Sequence, residues 1–146
     1  MKTLFRTALL VCSVLVLSNA AAQNVTTAAA AKEPGAVVTP SGLVFRSLTE
    51  GSGASPKSTD RVKVNYRGTF PDGREFDSSY NREPINLPLN SVIPCWTEGM
   101  QRIKVGGKAK LTCPPAIAYG ERGAGSTIPP NATLVFEVEL LEISAR

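Results

Sequence analysis

The sequence contains no histidine, and this absence narrows the chemistry that the protein can perform. Without histidine no Ser/His or Cys/His pair is available for nucleophilic catalysis. The sequence also lacks a cluster of metal ligands and a glycine-rich phosphate loop. The usual machinery for breaking a covalent bond is therefore missing, and neither a metal nor a cofactor is expected.

The chain also has only a small excess of positive charge. The chain has 16 basic and 12 acidic residues, a net charge of +4, and Lys2 and Arg6 lie in a segment that we expect to be removed. No basic stripe interleaved with aromatic residues is present, although such a stripe is typical of nucleic-acid binding. We expect no nucleic-acid partner.

What remains suits one soluble globular domain, since the 146 residues are 42% hydrophobic and 19% charged. Residues 1–22 combine a short basic start, an apolar run and small residues, which together predict a signal peptide cleaved after Ala20 or Ala22. Two alternatives stay open, namely lipid attachment at Cys12 and an uncleaved anchor. We expect a periplasmic or secreted protein that has no membrane contact after cleavage.

The remaining chain divides into two parts. Residues 23–40 are small and polar, with Pro34, Gly35 and Pro40 as breakers, and predict a flexible linker. Residues 41–146 then form the folded domain.

Removal of Cys12 would leave Cys95 and Cys113 in a compartment where disulfides persist. A bond between them would close a loop of about 18 residues and contribute about 3 kcal/mol through the unfolded state. The alternative is two small buried thiols that pack as apolar groups. No CxxC spacing occurs, so redox catalysis is not expected.

Alternating apolar and polar residues predict a strand-rich domain. Such stretches occur at "LVFRSL" (43–48), "VKVNYRGTF" (62–70), Ile85 to Leu89, Lys108 to Cys113 and Ala132 to Ile143, with a turn at "PDGR". The single good helical stretch starts near Pro94, shows apolar residues at Trp96, Met100 and Ile103, and stops before Gly106 and Gly107. The pattern predicts one short helix against one antiparallel sheet.

Several separated segments carry a family resemblance: "VNYRG", "DGREFDSSY", "VIPCWTEGM", "GGKAKLTCPPAIAYG" and "IPPNATLVFEVELLEI". Over about Ser41 to Ile143 the chain resembles the FKBP-type peptidyl-prolyl isomerases, the macrolide-binding immunophilins. Within them it is most similar to the exported bacterial group related to the macrophage infectivity potentiator. The resemblance implies an α+β fold, in which a half-open antiparallel sheet of about five strands wraps around one short helix and leaves an apolar cavity.

The resemblance also implies a site. Trp96 would form the cavity floor, Tyr119 and the backbone N–H of Ile128 would donate to substrate carbonyls, and Asp77 would sit at the rim held by Arg82. The implied catalytic residues are Asp77, Tyr119, Trp96 and Phe136, and the implied substrate-binding residues are Tyr66, Phe76, Arg82, Ile85, Val92, Ile93 and Ile128. From spacing alone, Tyr66, Phe76 and Phe136 are ordinary core residues of a strand protein.

The implied activity is cis–trans isomerisation of X-Pro bonds, which needs no covalent step. Resonance in the planar amide creates a rotation barrier of about 18–20 kcal/mol and separates charge, so a dry aromatic cavity favours the twisted state. The implied partners are proline-containing polypeptides and macrolide inhibitors. The chain lacks the long helical dimerisation segment of larger relatives, so we expect a monomer.

Two positions depart from the family pattern. Ile85 stands where eukaryotic members carry an aromatic residue, and Cys95 and Cys113 stand where many members have glycine and an aliphatic residue. An alternative function, a chaperone that grips prolyl segments without catalysis, uses the same cavity. Retention of Asp77, Trp96, Ile128 and Tyr119 favours catalysis.

Overall fold

The computed structural model describes residues 26–144. The signal peptide predicted for residues 1–22 therefore lies outside the described residues. Among residues 26–144, the helices are too short or too polar to cross a lipid bilayer.

One antiparallel sheet dominates the described chain. Its strands are β1 (Ala36–Val38), β2 (Val44–Thr49), β3 (Arg61–Thr69), β4 (Glu75–Ser78), β5 (Ile85–Pro88), β6 (Lys108–Cys113) and β7 (Leu134–Ser144). They are ordered β1-β2-β6-β7-β3-β4, and β5 pairs with the first half of β3. The α+β prediction is confirmed. The described sheet has two strands more than the five that the alternation predicted, since β1 and β4, with three and four residues, are too short to show a clear alternation.

The two central strands explain which face of the sheet holds the core. Alternate residues of β7, from Leu134 to Leu140, are buried, and in β3 the same period buries Val62, Val64 and Tyr66. Side chains two apart on a strand share a face, so both strands present one apolar face to the helix. Register shifts at Lys63/Val64 and elsewhere mark bulges, which bend a sheet.

Helix α2 (Pro94–Met100) packs across this face, after a helical segment α1 at residues 26–31. Pro94 occupies its first turn as predicted, because a missing N–H costs nothing there. Gly99 allows close packing, since a Cβ at that position would lie 2.8 Å from the Leu111 side chain.

The helix is shorter than the apolar spacing suggested. It ends at Met100, and the next N–H groups, of Arg102 and Ile103, donate to the carbonyls three residues back at 3.1 and 3.2 Å. Ile103, seven residues after Trp96, is still buried by this tighter turn, although it lies outside the α-helix.

Residues 26–40 differ from the flexible linker predicted for 23–40. Helix α1 and strand β1 lie against the sheet, where β1 pairs with β2. Glu33 accepts hydrogen bonds from Lys110 and Arg46, both at 2.8 Å, and these bonds lower the Glu33 pKa, with the Lys110 bond as the largest cause. The composition did not reveal this docking because its partners lie 13 and 77 residues away along the chain.

Candidate functional site

A cavity of about 450 Å³ opens between β3, the start of α2 and the segments around them. Trp96 lies at its base with 5% of its surface exposed. The Tyr66 ring, on β3, meets the Trp96 ring edge-to-face with 5.3 Å between the centroids. The Phe136 ring, on β7, meets Trp96 in the same way, also with 5.3 Å between the centroids. The single tryptophan is thus held by two ring edges and still borders open space.

Phe76 completes the aromatic wall. Its ring lies 5.6 Å from that of Phe136, again edge-to-face. Both rings lie over Gly68 on β3, where a Cβ would come within 2.6 Å of Phe76 and 3.0 Å of Phe136. The absence of a side chain at Gly68 therefore makes room for this wall.

The rest of the lining is mainly aliphatic. It contains Ile85, Val92 and Ile93, as predicted from the resemblance, and also Leu87 and Ser91, which were not predicted. Leu87 is two residues after Ile85 on β5 and so shares its face, a signal that the strand pattern already contained. Ser91 ends the 3-10 turn Leu89–Ser91, for which no sequence signal was apparent.

Asp77 lies at the rim and receives three hydrogen bonds. The Tyr66 hydroxyl donates to one carboxylate oxygen, and the Arg82 guanidinium and the Ser78 N–H each donate to the other at 2.9 Å. Arg82 also donates to the Tyr66 oxygen at 3.2 Å. The carboxylate is therefore occupied in orienting Tyr66 and Arg82, and this arrangement differs from that of a free general base.

Burial of Tyr66 raises its pKa to about 12, and the hydrogen bond to the Asp77 carboxylate adds to the effect. Both favour the neutral phenol. The hydroxyl thus stays a donor to Asp77 throughout the neutral range. The backbone of Tyr66 is fixed from the other side, because its N–H donates to the buried Ser79 hydroxyl at 2.9 Å.

Tyr119 lines the cavity from the loop after β6, with 42% of its surface exposed. Within residues 26–144 its hydroxyl makes no hydrogen bond, so its donor points to no protein acceptor. A hydroxyl in this state beside an apolar cavity suits a donor to an incoming carbonyl.

Ile128 does not lie where the resemblance implied. It is buried and absent from the cavity wall, and its N–H donates to the Ala124 carbonyl at 3.0 Å. The loop closes on itself through a bridge between these two residues, which engages the predicted donor. By contrast, Ile93 lines the cavity directly before α2, and among the described residues its N–H donates to no acceptor.

Cys95 and Cys113 form a disulfide in the structure, with Cα atoms 5.8 Å apart. Both residues are fully buried. The bond joins the first turn of α2, directly before Trp96, to the last residue of β6. Within residues 26–144 no group of His, Cys, Asp and Glu side chains is arranged to hold a metal ion.

The arrangement combines an apolar base, a hydroxyl donor at the mouth and an oriented carboxylate. Among the described residues that line it, Asp77 is the only charged group, and it is held by Tyr66 and Arg82. Such a site can exclude water from a bound group and orient its carbonyls, and its one carboxylate is paired with Arg82 while the neighbouring Tyr66 hydroxyl stays a neutral phenol.

Comparison with known proteins gives a consistent picture. The family model "FKBP-type peptidyl-prolyl cis-trans isomerase" matches residues 53–141. FkpA of Escherichia coli K12, an FKBP-type peptidyl-prolyl cis-trans isomerase by name, is 54% identical over 114 residues, which are 77% of this chain and 42% of the relative. The chain spans about half the length of these curated relatives.

Solved structures agree with this match. The crystal structure of Escherichia coli FkpA superimposes with a TM-score of 0.84 at 49% identity, covering 87% of this chain and 60% of that one. A peptidyl-prolyl cis-trans isomerase from Pseudomonas syringae pv. tomato gives a TM-score of 0.79 at 39% identity and covers 84% of this chain and 91% of that one. The likeness therefore extends over more than four fifths of this chain.

Proposed function

The chain belongs to the FKBP-type peptidyl-prolyl cis-trans isomerase family, and on that premise we propose that it isomerises X-Pro bonds in polypeptides. The observation that carries the proposal is the open cavity above Trp96, whose rim presents Tyr119 and Asp77. Substrates are proline-containing chains, and the natural setting is the folding of exported proteins. Uncatalysed exchange takes tens to hundreds of seconds, slow enough to limit folding.

The proposed mechanism starts from the electronic structure of the amide. In the planar bond, resonance moves charge from nitrogen to oxygen, and twisting the bond removes this charge separation. A water-poor cavity stabilises the less polar twisted state relative to the planar state, whose separated charges favour water. The prolyl ring rests on Trp96, between the edges of Tyr66 and Phe136.

Polar groups at the rim orient the substrate backbone. The free Tyr119 hydroxyl donates to a substrate carbonyl, and the Ile93 N–H takes the second donor role that the resemblance implied for Ile128. Asp77 and Arg82 act indirectly, because their hydrogen bonds hold Tyr66 against Trp96. No proton moves in this mechanism.

The test is a relaxation assay on a short X-Pro peptide, started from a cis-enriched population. We expect the purified protein to accelerate the approach to equilibrium in proportion to its concentration, and Trp96→Leu to reduce this acceleration. A rate that stays spontaneous at saturating protein would contradict catalysis. If the peptide still bound in that case, the cavity would serve a chaperone that grips prolyl segments.

We extend the proposal to inhibitors, location and assembly. A macrolide should compete with the peptide for the aromatic cavity, which a competition titration measures. The buried disulfide supports residence in an oxidising compartment, in line with a signal peptide at residues 1–22 and a periplasmic or secreted mature protein. Cell fractionation with N-terminal sequencing tests the location and cleavage site, and light scattering tests the proposed monomer.

A further inference from the structure

The disulfide joins the two parts of the site that must be held in register. Cys95 immediately precedes Trp96, the floor, and Cys113 ends the strand from which the chain continues to Tyr119. A single covalent bond therefore links the backbone of the floor residue to the segment that presents the hydroxyl donor.

Helix α2 needs such an external tie. It has seven residues, no side-chain hydrogen bond at its N-cap and no acidic residue in its first turn. An isolated helix of this length is unstable in water, so its position depends on tertiary contacts. Gly99 packs on Leu111 near its C-terminal end, whereas the disulfide fixes its first turn.

On the other side of the bond the chain is stiff. Cys113 is followed by Pro114 and Pro115, whose rings restrict φ. The N–H groups of Ala118 and Gly120 both donate to the Pro115 carbonyl, at 3.0 and 2.9 Å. Since the Tyr119 hydroxyl has no partner of its own within residues 26–144, its placement follows from this backbone.

We propose that the Cys95–Cys113 bond is a positioning element for catalysis, which holds the Trp96 floor and the Tyr119 donor in register. The inference rests on the proposed isomerase function. Both sulfurs are fully buried, so the bond is a permanent part of the site and is inaccessible to ordinary reductants in the folded protein.

A double-mutant cycle tests the proposal. The Cys95→Ala/Cys113→Val pair removes the bond and keeps both positions apolar, and Tyr119→Phe removes the donor hydroxyl. In the wild-type background we expect Tyr119→Phe to lower kcat/KM about fivefold, as for loss of one hydrogen bond. Without the disulfide the same change should cost about twofold or less, because the hydroxyl is no longer held in place.

Stability effects are separated by a control. Leu140→Ala truncates a fully buried residue near the end of β7, which pairs with Val64 of β3 and lies outside the cavity lining, so it lowers stability without contacting the segments that carry the disulfide. In that background Tyr119→Phe should keep its full fivefold cost. All rates are measured at a temperature where circular dichroism shows each variant to be folded.

Fluorescence supplies a readout that does not need activity. Trp96 is the only tryptophan, so acrylamide quenching reports on the floor alone. We expect the quenching constant to rise about twofold or more in the disulfide-free pair and to stay unchanged in Leu140→Ala. Equal costs of Tyr119→Phe with and without the bond, or an unchanged quenching constant, would overturn the proposal. A wild-type protein without isomerase activity would refute the proposed function instead, and quenching would then decide whether the bond holds the floor.

Discussion

Replacing Trp96 by leucine probes the floor of the cavity most directly. The substitution keeps an apolar side chain but removes two edge-to-face ring pairs, with Tyr66 and Phe136. Such pairs contribute about 0.5–1.5 kcal/mol each beyond the buried area, so their loss alone should cost about 1–3 kcal/mol of stability. Leucine fills part of the volume that the indole occupied, so the total cost should stay below the value of about 3–5 kcal/mol for truncating a buried tryptophan to alanine.

The effect on activity follows from the substrate that the ring supports. A prolyl ring has three CH₂ groups, each worth about 0.8 kcal/mol when fully buried, or about 2.4 kcal/mol together. The floor covers one of the two faces of that ring and so supplies about half, about 1.2 kcal/mol. Because 1.4 kcal/mol corresponds to a factor of ten and leucine keeps part of the apolar floor, we expect kcat/KM to fall by up to about sevenfold.

The assay compares kcat/KM for one X-Pro peptide with urea unfolding followed by circular dichroism. Met100→Leu is the matched control, since Met100 is fully buried on the same helix and does not line the cavity. Its volume-conserving change should cost less than about 1.5 kcal/mol and leave kcat/KM unchanged. If Trp96→Leu retained the kcat/KM of Met100→Leu, the idea that the ring supports the prolyl group would be wrong.

Three further predictions follow from the rim and the wall. Asp77→Ala should lower kcat/KM several-fold, and it should change the free energy of unfolding by less than about 1 kcal/mol because the ion pair with Arg82 is exposed. Parallel urea unfolding and rate measurements check this, and a loss of stability without a loss of rate would contradict it. Because the pKa of Tyr66 is raised to about 12, its contribution to stability should be fully present below pH 10, the ordinary pKa of tyrosine, and should be lost as the pH rises toward 12. Tyr66→Phe should lack this loss. If the difference in unfolding free energy between the wild type and Tyr66→Phe stayed constant from pH 10 to 12, the assignment would be wrong. Gly68→Ala should displace the Phe76 ring, cost about 1–3 kcal/mol and weaken the proposed macrolide binding, which calorimetric titration measures. Gly73→Ala should reduce stability alone, because its Cβ would meet nothing within 4 Å but its φ is 90°.

The predicted fold and site depended on different kinds of information. Alternation was sufficient to predict β3 and β7, because every second side chain of a strand with one buried face is apolar. The proline at its start and the helical spacing of apolar residues were sufficient to predict α2. Spacing alone assigned Tyr66, Phe76 and Phe136 to the core, and only the family resemblance assigned them to a cavity. The resemblance misplaced Ile128, whose N–H is engaged within its own loop.

Docking of residues 26–40 was not predictable, because its stabilising contacts are distant in the sequence. A short polar segment reads as a linker unless its partners are known, and Glu33 finds Lys110 across 77 positions. Leu87, by contrast, was predictable. It lies two residues after Ile85 on β5, so the strand period that places Ile85 at the cavity also places Leu87 there.

Residue order alone was enough to predict five of the seven strands in the described sheet, the start of α2, the absence of histidine chemistry and the family, whereas β1, β4 and α1 were not predicted. The packing of distant segments was needed to show that the Tyr66, Phe76 and Phe136 rings and the Trp96 indole meet around one cavity. Strand register places Gly68 opposite Phe136 and Tyr66 opposite Val138, and α2 crosses that pair so that Trp96 lies between the two rings. Residues up to 70 positions apart thus share one cavity because backbone hydrogen bonds between β3 and β7 set which side chains are neighbours.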